Sequence, residues 1–398
     1  MKLPVTCKFD IVIAGGGAAG LAAAVKAGLL TKSPEAPSAL RIALIEKKEV
    51  PGKKLSATGN GRCNLSNIAC TEREEVDSFF DCLGLLTRTD EAGRMYPYSE
   101  EAGEVSALLT ETARDLNVEI MTSCQITRVV PAAEGGFILV TEGKEGTFGI
   151  RCSKLLIAMG GKSYSAFGTT GDGYSIARKL GHTVTRLAPS LVPVEVKEDL
   201  VPLAGVRAKA KVSLLHCGNL VAEEEGEVQF NKDSLSGICI MNLSRLLVLN
   251  PEKSFEEAFA EYELCLDLVP EYEAAEVKKV LEMKPEDHML RGLVRKKLAG
   301  YILERAEDAE SAAALLKNLR FTVRGTRGWN DAQVTRGGVE LDEVKEDTME
   351  SKLVNGLYFA GEVLDYDGPC GGWNLHYAWQ TGLRAGSAMV EALWGAKE

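Results

Sequence analysis

Residues 9–30 read FDIVIAGGGAAGLAAAVKAGLL. Phe9 to Ala14 is an apolar strand run, Gly15, Gly17 and Gly20 follow at once, and Leu21 to Leu30 is Ala-rich and helix-forming. A lone G-x-G-x-x-G is common, but between a buried strand and a helix each glycine has work. The first turns the chain tightly, the second lets a pyrophosphate approach the backbone, and the third lets the helix pack on the strand. The helix N-terminus then faces negative charge. A second strand, Arg41 to Glu46, ends on an acid where a ribose-binding carboxylate belongs. It lies 26 residues beyond Gly20 rather than the usual ~20, because the loop TKSPEAPSAL carries two prolines. The unit is therefore read as β-α-β and is expected to bind a dinucleotide, the alternative being a merely structural β-α-β.

Outward from this unit, Glu104 to Asn117 has helical periodicity. Val118–Met121, Ile126–Val130, Gly136–Thr141, Thr147–Cys152 and Lys154–Met159 read as strands, the last stopped by Gly160-Gly161. From Leu191 to about Ser236 the pattern becomes short alternating strands, such as VRAKAKVSLL and GEVQF, which predicts a small β-domain or barrel. From Pro251 to about Leu319 charged amphipathic segments, SFEEAFAEYELCLDLV among them, predict a helical insertion. The strand Leu319–Val323 leads back to α/β character, which ends in the strand Gly356–Ala360 and the helix Asn374–Leu393. The expected domains are 1–190 with 326–398, a barrel-like 191–250 with 319–325, and a helical 251–318.

The chain of 398 residues is long enough for two or three domains. Its net charge of -11 comes with no Lys/Arg cluster dense enough to follow a phosphate backbone, so nucleic acid is not an expected partner. No apolar run approaches the roughly 18 residues of a spanning helix, and the chain enters a strand too early for a signal peptide. Ten cysteines show no C-x-x-C pair and no metal-ligand spacing. A reduced, cytoplasmic compartment is expected and no metal, and the Asn64-Leu65-Ser66 sequon is then not a glycosylation site.

The residues after Glu46 decide which dinucleotide binds. A nicotinamide dehydrogenase continues with further β-α units. This chain goes straight into the polar PGKKLSATGNGRCNLSN, residues 51–67. Its far end, GLYFAGEVLDYDGPCGGWNLHYAWQTGLRAG, offers a strand, an acid, a Gly-rich turn and a helix. The acid suits a ribityl hydroxyl and the helix N-terminus suits charge on a reduced isoalloxazine. Both ends together fit FAD.

The segments GGGAAGL, GKKLSATGNGRCNLSN, RMYPYSEEAGEVSALL, AMGGKSYSAFGTTGDGYSIARKLGH, LVPV, VTRGGV, TMESKLVNGLYFAGEVLDYDG and GGWNLHYAWQTG occur in this order. Together they resemble the flavoprotein family that includes bacterial bile-acid C=C reductases and aminoacetone oxidases, within the two-dinucleotide-binding group. The resemblance implies an α/β fold, a Rossmann-type FAD-binding domain with inserted β-barrel-like and helical domains. It places Gly15, Gly17, Ala18 and Gly20 on the pyrophosphate, Glu46 on the adenosine ribose and the Ile126 backbone on adenine. Lys54, Thr58, Gly59, Asn60, Arg62, Cys63 and Asn64 would line the flavin side. Ala158, Gly160 and Gly161 would pack beside the cofactor, and Glu362, Gly372, Asn374 and Leu375 would hold the ribityl chain and the pyrimidine edge. Trp373 and His376 depart from the family's usual Tyr and Gln.

For catalysis the residues offer His376, either a proton donor or flavin O2 partner or an ordinary helix residue. Tyr164, Tyr366 and Arg327 can each bind a carbonyl oxygen or protonate carbon, or simply pack. Cys63 and Cys370 lack the Cys-x4-Cys spacing of a redox pair, and His182, His216 and His288 read as structural or surface residues. The expected reaction is reduction of a C=C bond conjugated to a ketone in a 3-oxo bile acid or steroid. NADH or NADPH would bind transiently, since no second G-x-G-x-x-G is present. Amine oxidation with oxygen and a flavin-binding module without turnover are the alternatives.

Overall fold

The computed structural model describes residues 5–34, 36–248, 250, 252–285 and 288–395. The chain divides into two compact units, Met1–Ala188 with Val334–Glu398, and Pro189–Gln333.

The first unit is built on β1 (Val5–Ala14), whose Ile11, Val12, Ile13 and Ala14 are fully buried. An uninterrupted apolar run of this kind belongs in a parallel sheet covered on both faces. On one side β1 pairs in parallel with β2 (Ile42–Ile45), and β2 with β3 (Glu119–Met121). The antiparallel strands β4 (Gln125–Pro131) and β5 (Phe137–Gly143) lead into β6 (Gly146–Ile157), which pairs in parallel with the other side of β1. Finally β7 (Leu357–Phe359) pairs in parallel with the end of β6.

The expected strands Thr147–Cys152 and Lys154–Met159 are thus one strand. Its first half pairs with β5 up to Cys152, and from Leu155 it pairs with β7. One backbone passes from one neighbour to the next, so no turn is needed. Because the chain leaves β1 towards β2 and later returns on the opposite side as β6, β1 marks the point where strand order reverses. Ligands of open α/β sheets sit outside the carboxyl ends of the strands at such a point.

Helix α1 (Ala18–Lys32) covers this sheet and packs against the long C-terminal helix α2 (Trp373–Trp394). A β-carbon at Gly382 would lie 2.3 Å from the Ala19 carbonyl oxygen. The two helices therefore meet backbone to backbone, which explains the alanines of α1. Fully buried Trp379, Tyr174, Tyr358 and Phe359 complete the core, each large side chain contributing about 1.5–3 kcal/mol by burial.

The second unit contains a closed six-stranded barrel, in the order Val194–Val196, Ser234–Ser236, Asn219–Phe230, Arg207–His216, Tyr262–Asp267, Leu319–Thr326. Tyr262–Asp267 corrects the sequence expectation, which put this segment in a helix. Only Phe255–Phe259 is helical there. In the strand Tyr262, Leu264 and Leu266 are buried while Glu263 and Asp267 are not, a period of two broken at the buried Cys265 and obscured by the acidic helix just before it. The helices Ala274–Glu282, Lys296–Leu303 and Ala309–Lys317 lie between the last two barrel strands in sequence. Their Val277, Leu281, Leu298, Ile302 and Leu316 share one core with barrel residues Val212, Leu264 and Phe321, so barrel and helices form one unit. The boundary falls after Gln333 rather than at 326. Arg327 and Gln333 donate their backbone N–H groups to Pro193 and Leu191 of the same unit, at 3.1 Å each. No helix among the described residues is long and apolar enough to cross a membrane.

Candidate dinucleotide site

At the carboxyl end of β1 the backbone does the shaping. Gly15 has φ +108°, and a β-carbon there would lie 2.3 Å from the Ala158 carbonyl oxygen, while one at Gly20 would lie 1.9 Å from the Gly15 carbonyl oxygen. Neither position has room for a side chain. Gly17 caps α1 without a side-chain hydrogen bond, and the first helical turn carries no acid. A β-carbon on Gly17 would meet nothing within 4 Å. An open space before uncovered helix N–H groups is what a pyrophosphate requires.

Glu46, just past β2, accepts from Gly16 N–H at 2.9 Å through Oε2 and from Lys48 N–H at 2.8 Å through Oε1. Each oxygen keeps acceptor capacity for a ribose hydroxyl. Ser123 and Cys124 donate to the carbonyls of Lys48 and Glu46 at 2.8 and 3.0 Å, which brings Ile126, at the start of β4, to this side. Ala158 N–H donates to Ala14 at 2.8 Å, continuing the parallel pairing past β6. The donor set fits the adenosine diphosphate half of FAD.

Beyond β7 the side chains do the shaping. Glu362 Oε2 accepts from Lys54 Nζ at 2.7 Å, and Oε1 accepts from Ser163 Oγ and Thr335 N–H, both at 2.9 Å. Lys54 Nζ also donates to Ser163 Oγ at 2.8 Å, and Thr335 Oγ1 accepts from Lys162 N–H at 2.8 Å. Gly161 fits under this cluster, since a β-carbon would come within 2.5 Å of Glu362 Oε1. Lys54 and Glu362 are therefore brought together with Gly161 as one polar group. Ser163 and Thr335, both fully buried, are candidate site residues that sequence reasoning missed. They lie in the segments GGKSYS and VTRGG, and a hydroxyl residue beside glycines after a strand was the available signal.

The polar loop 56–67 is clasped by the start of α2. Asn67 Nδ2 donates to the Gly371 carbonyl at 3.0 Å and Trp379 Nε1 to the Leu65 carbonyl at 3.0 Å. A β-carbon on Gly372 would lie 2.2 Å from the Ser66 carbonyl oxygen and 2.9 Å from Asn64 Oδ1. Asn374 accepts from Gly368 N–H at 2.8 Å and donates to the Gly368 carbonyl at 2.9 Å, pinning the turn before the helix, next to the half-exposed Leu375. Within the loop Gly59, Asn60 and Cys63 all have φ near +56 to +59°. Left-handed Asn and Cys cost of order 1 kcal/mol or more each, and strain of this kind gathers at ligand clamps.

His376 is buried, with Nε2 at 3.0 Å from the Thr71 carbonyl and Nδ1 at 3.0 Å from Ser66 Oγ. A carbonyl only accepts, so Nε2 carries the proton and Nδ1 accepts from the serine. Burial holds its pKa below the usual histidine range, so the neutral ring ties helix to loop with both nitrogens. The Cys63 thiol is pushed up to about 12 by burial, against a hydrogen bond with Thr58, and stays a thiol at neutral pH. Arg62 is exposed, its guanidinium 4.8 Å above the Tyr96 ring. Tyr366 stacks on Tyr377 at 4.0 Å. Tyr164, half-exposed, follows Ser163 in a left-handed conformation beside Gly160 and Gly161, its ring 5.6 Å from Phe167. Arg327 is in the second unit, paired with Asp233 at 3.1 Å and Asp331 at 3.5 Å.

The profile of the HI0933-like protein Rossmann domain matches residues 71–388. The chain belongs to this family. The HI0933-like chain is 34% identical over 421 residues to the 3-dehydro-bile acid delta(4,6)-reductase of Clostridium scindens, covering 96% of this chain and 99% of that one. It is 27% identical over 423 residues to the ribosomal RNA dihydrouridine synthase of Escherichia coli K12, covering 97% and 99%. Among solved structures, the Rhodococcus jostii RHA1 3-ketosteroid-delta4-(5alpha)-dehydrogenase superposes with TM-score 0.53 at 14% identity, covering 97% of this chain and 98% of that one. A flavocytochrome c3 fumarate reductase gives TM-score 0.50 at 15% identity, covering 97% and 79%. The two structures share the fold. Family and architecture place the HI0933-like chain among FAD-dependent oxidoreductases.

Proposed function

We propose that the protein reduces a C=C bond conjugated to a ketone, in a 3-oxo bile acid or steroid, with NADH or NADPH as donor. The observation that carries this reading is the 34% identity, over nearly the whole of both chains, to a 3-dehydro-bile acid delta(4,6)-reductase. Bound FAD supplies a hydride-transfer centre. The Gly15–Gly20 turn and the α1 N-terminus hold its pyrophosphate, Glu46 its adenosine ribose, and Glu362, set by Lys54, Ser163 and Thr335, its ribityl side. The polar loop and the start of α2 shape the ring side. In the net reaction NAD(P)H is oxidised to NAD(P)+, the β-carbon gains a hydride and the α-carbon a proton. Charge building on the ketone oxygen needs a donor, and the carbon needs an acid. Tyr164 is the proposed acid, because it follows buried Ser163 directly and is open to solvent.

The test is incubation of the yellow protein with NADH or NADPH and a 3-oxo-4-ene steroid, followed by mass spectrometry. The expected product has gained two hydrogens; nicotinamide consumed only through oxygen, with the steroid unchanged, overturns the reading. A second reading rests on the 27% identity to a ribosomal RNA dihydrouridine synthase. Dihydrouridine formation also saturates a C=C bond conjugated to a carbonyl, so the same site chemistry serves. The net charge of -11 weighs against an RNA substrate. Ribosomal RNA from a strain lacking the gene decides between them, since one missing dihydrouridine favours RNA.

A further inference from the structure

The barrel hairpin Arg207–His216/Asn219–Phe230 ends in a two-residue turn, Cys217-Gly218, with φ +50° and +79°. Both residues are left-handed, as in a type I′ turn, where Asn, Asp and Gly are favoured and cysteine is not. Beside the turn lies Glu261, immediately before the strand Tyr262–Asp267. The backbone fixes this juxtaposition: His216 is in register with Tyr262, and Cys217 N–H donates to the Glu261 carbonyl at 2.8 Å. As a result one ligand atom from each of His216, Cys217 and Glu261 lies within 4.8 Å of the other two.

We propose that these three residues bind Zn2+, with one exchangeable water in the fourth position. Imidazole, thiolate and carboxylate are the donors zinc takes, and bonds of about 2.0–2.3 Å in a tetrahedron set ligand atoms roughly 3.3–3.8 Å apart. His216 Nε2 and Glu261 Oε2 are already 3.5 Å apart, inside that range. The imidazole is fixed by stacking on Tyr262, with centroids 4.5 Å apart and planes at 26°. The carboxylate is fixed by Lys253, which bonds Oε1 and leaves Oε2 turned towards His216. Outer contacts of this kind orient metal ligands. Neutral imidazole, thiolate and carboxylate balance the two charges of the ion. The sequence expectation of no metal came from ligand spacing along the chain, whereas here the third ligand arrives 44 residues after the second.

The site is independent of the proposed reaction. The test titrates the FAD-loaded protein, kept reduced by a phosphine, with Co2+ alone. Spectra are read at wavelengths longer than the flavin band. One equivalent of tetrahedral Co2+ is expected, displaced by Zn2+. Cys217→Ser is expected to abolish the signal, and His216→Ala to weaken binding by about tenfold or more. Unchanged flavin content and melting temperature in both variants show that they are folded. If wild type shows no saturable binding, or if Cys217→Ser keeps the full signal through another thiol such as exposed Cys82, the proposal is overturned.

Discussion

The two halves of the candidate dinucleotide site are built in different ways. At the Gly15–Gly20 turn the working parts are backbone N–H groups and the absence of β-carbons. At Glu362 they are the side chains of Lys54, Ser163 and Glu362 with the Thr335 N–H, from four distant segments, joined by hydrogen bonds of 2.9 Å or less. A backbone site depends on sterics and fails abruptly. A side-chain cluster depends on several bonds of moderate strength and fails by degrees.

The largest effect is therefore expected at the turn. In Gly20→Ala the new β-carbon would sit 1.9 Å from the Gly15 carbonyl oxygen, and neither backbone can yield without breaking the strand–helix contact. The protein should purify without flavin and lose about 1–3 kcal/mol or more of stability, read by absorbance and thermal melting. A yellow, stable Gly20→Ala protein breaks the comparison. Next in size is Thr335→Val, which strips an acceptor from the Lys162 and Ser163 N–H groups and should cost about 1–3 kcal/mol while keeping measurable FAD affinity.

Glu362→Gln and Lys54→Met sharpen the graded side. Each should weaken FAD binding, read by fluorescence titration. The double mutant should lose less than the sum, with a coupling of about 0.5–3 kcal/mol. Strict additivity would mean that the pair works separately. A smaller effect comes with pH. Burial depresses the pKa of His376 and of His182, whose ring nitrogens face Glu343 and Ser351. The unfolded chain then binds more protons near and below the ordinary value of 6.5, so stability is full above that value and declines as pH falls through it. Denaturant melts at pH 7.5 and 5.5 should show the loss, and His376→Asn should reduce it. Least is expected of exposed Arg62: removing its contact with Tyr96 in Arg62→Ala should cost about 0.5–1 kcal/mol and leave the protein yellow.

The same contrast explains what could be read in the sequence. The β-α-β unit was legible because its glycines, strand and helix are consecutive, and the barrel because its strands alternate. Tyr262–Asp267 was not, since Phe255–Phe259 gives the preceding residues a helical pattern and only three side chains mark the change. Lys54 and Glu362 were picked out through the family resemblance, but that the ammonium of one meets the carboxylate of the other is a property of the fold. Ser163 and Thr335 are small hydroxyl residues whose importance comes from being buried against Glu362, and no local pattern carries that information. His376 drew attention by being rare, and its surroundings make it a strut.

The central claim, a flavin held at the carboxyl edge of the parallel sheet and turned over by an enone, is tested most directly by anaerobic half-reactions. The yellow protein is mixed with NADH or NADPH, and then with an unsaturated 3-oxosteroid. The account predicts that flavin absorbance bleaches with the nicotinamide and returns with the steroid, in proportion to reduced product. Flavin that stays oxidised with both nicotinamides but bleaches with a small amine such as aminoacetone would contradict it.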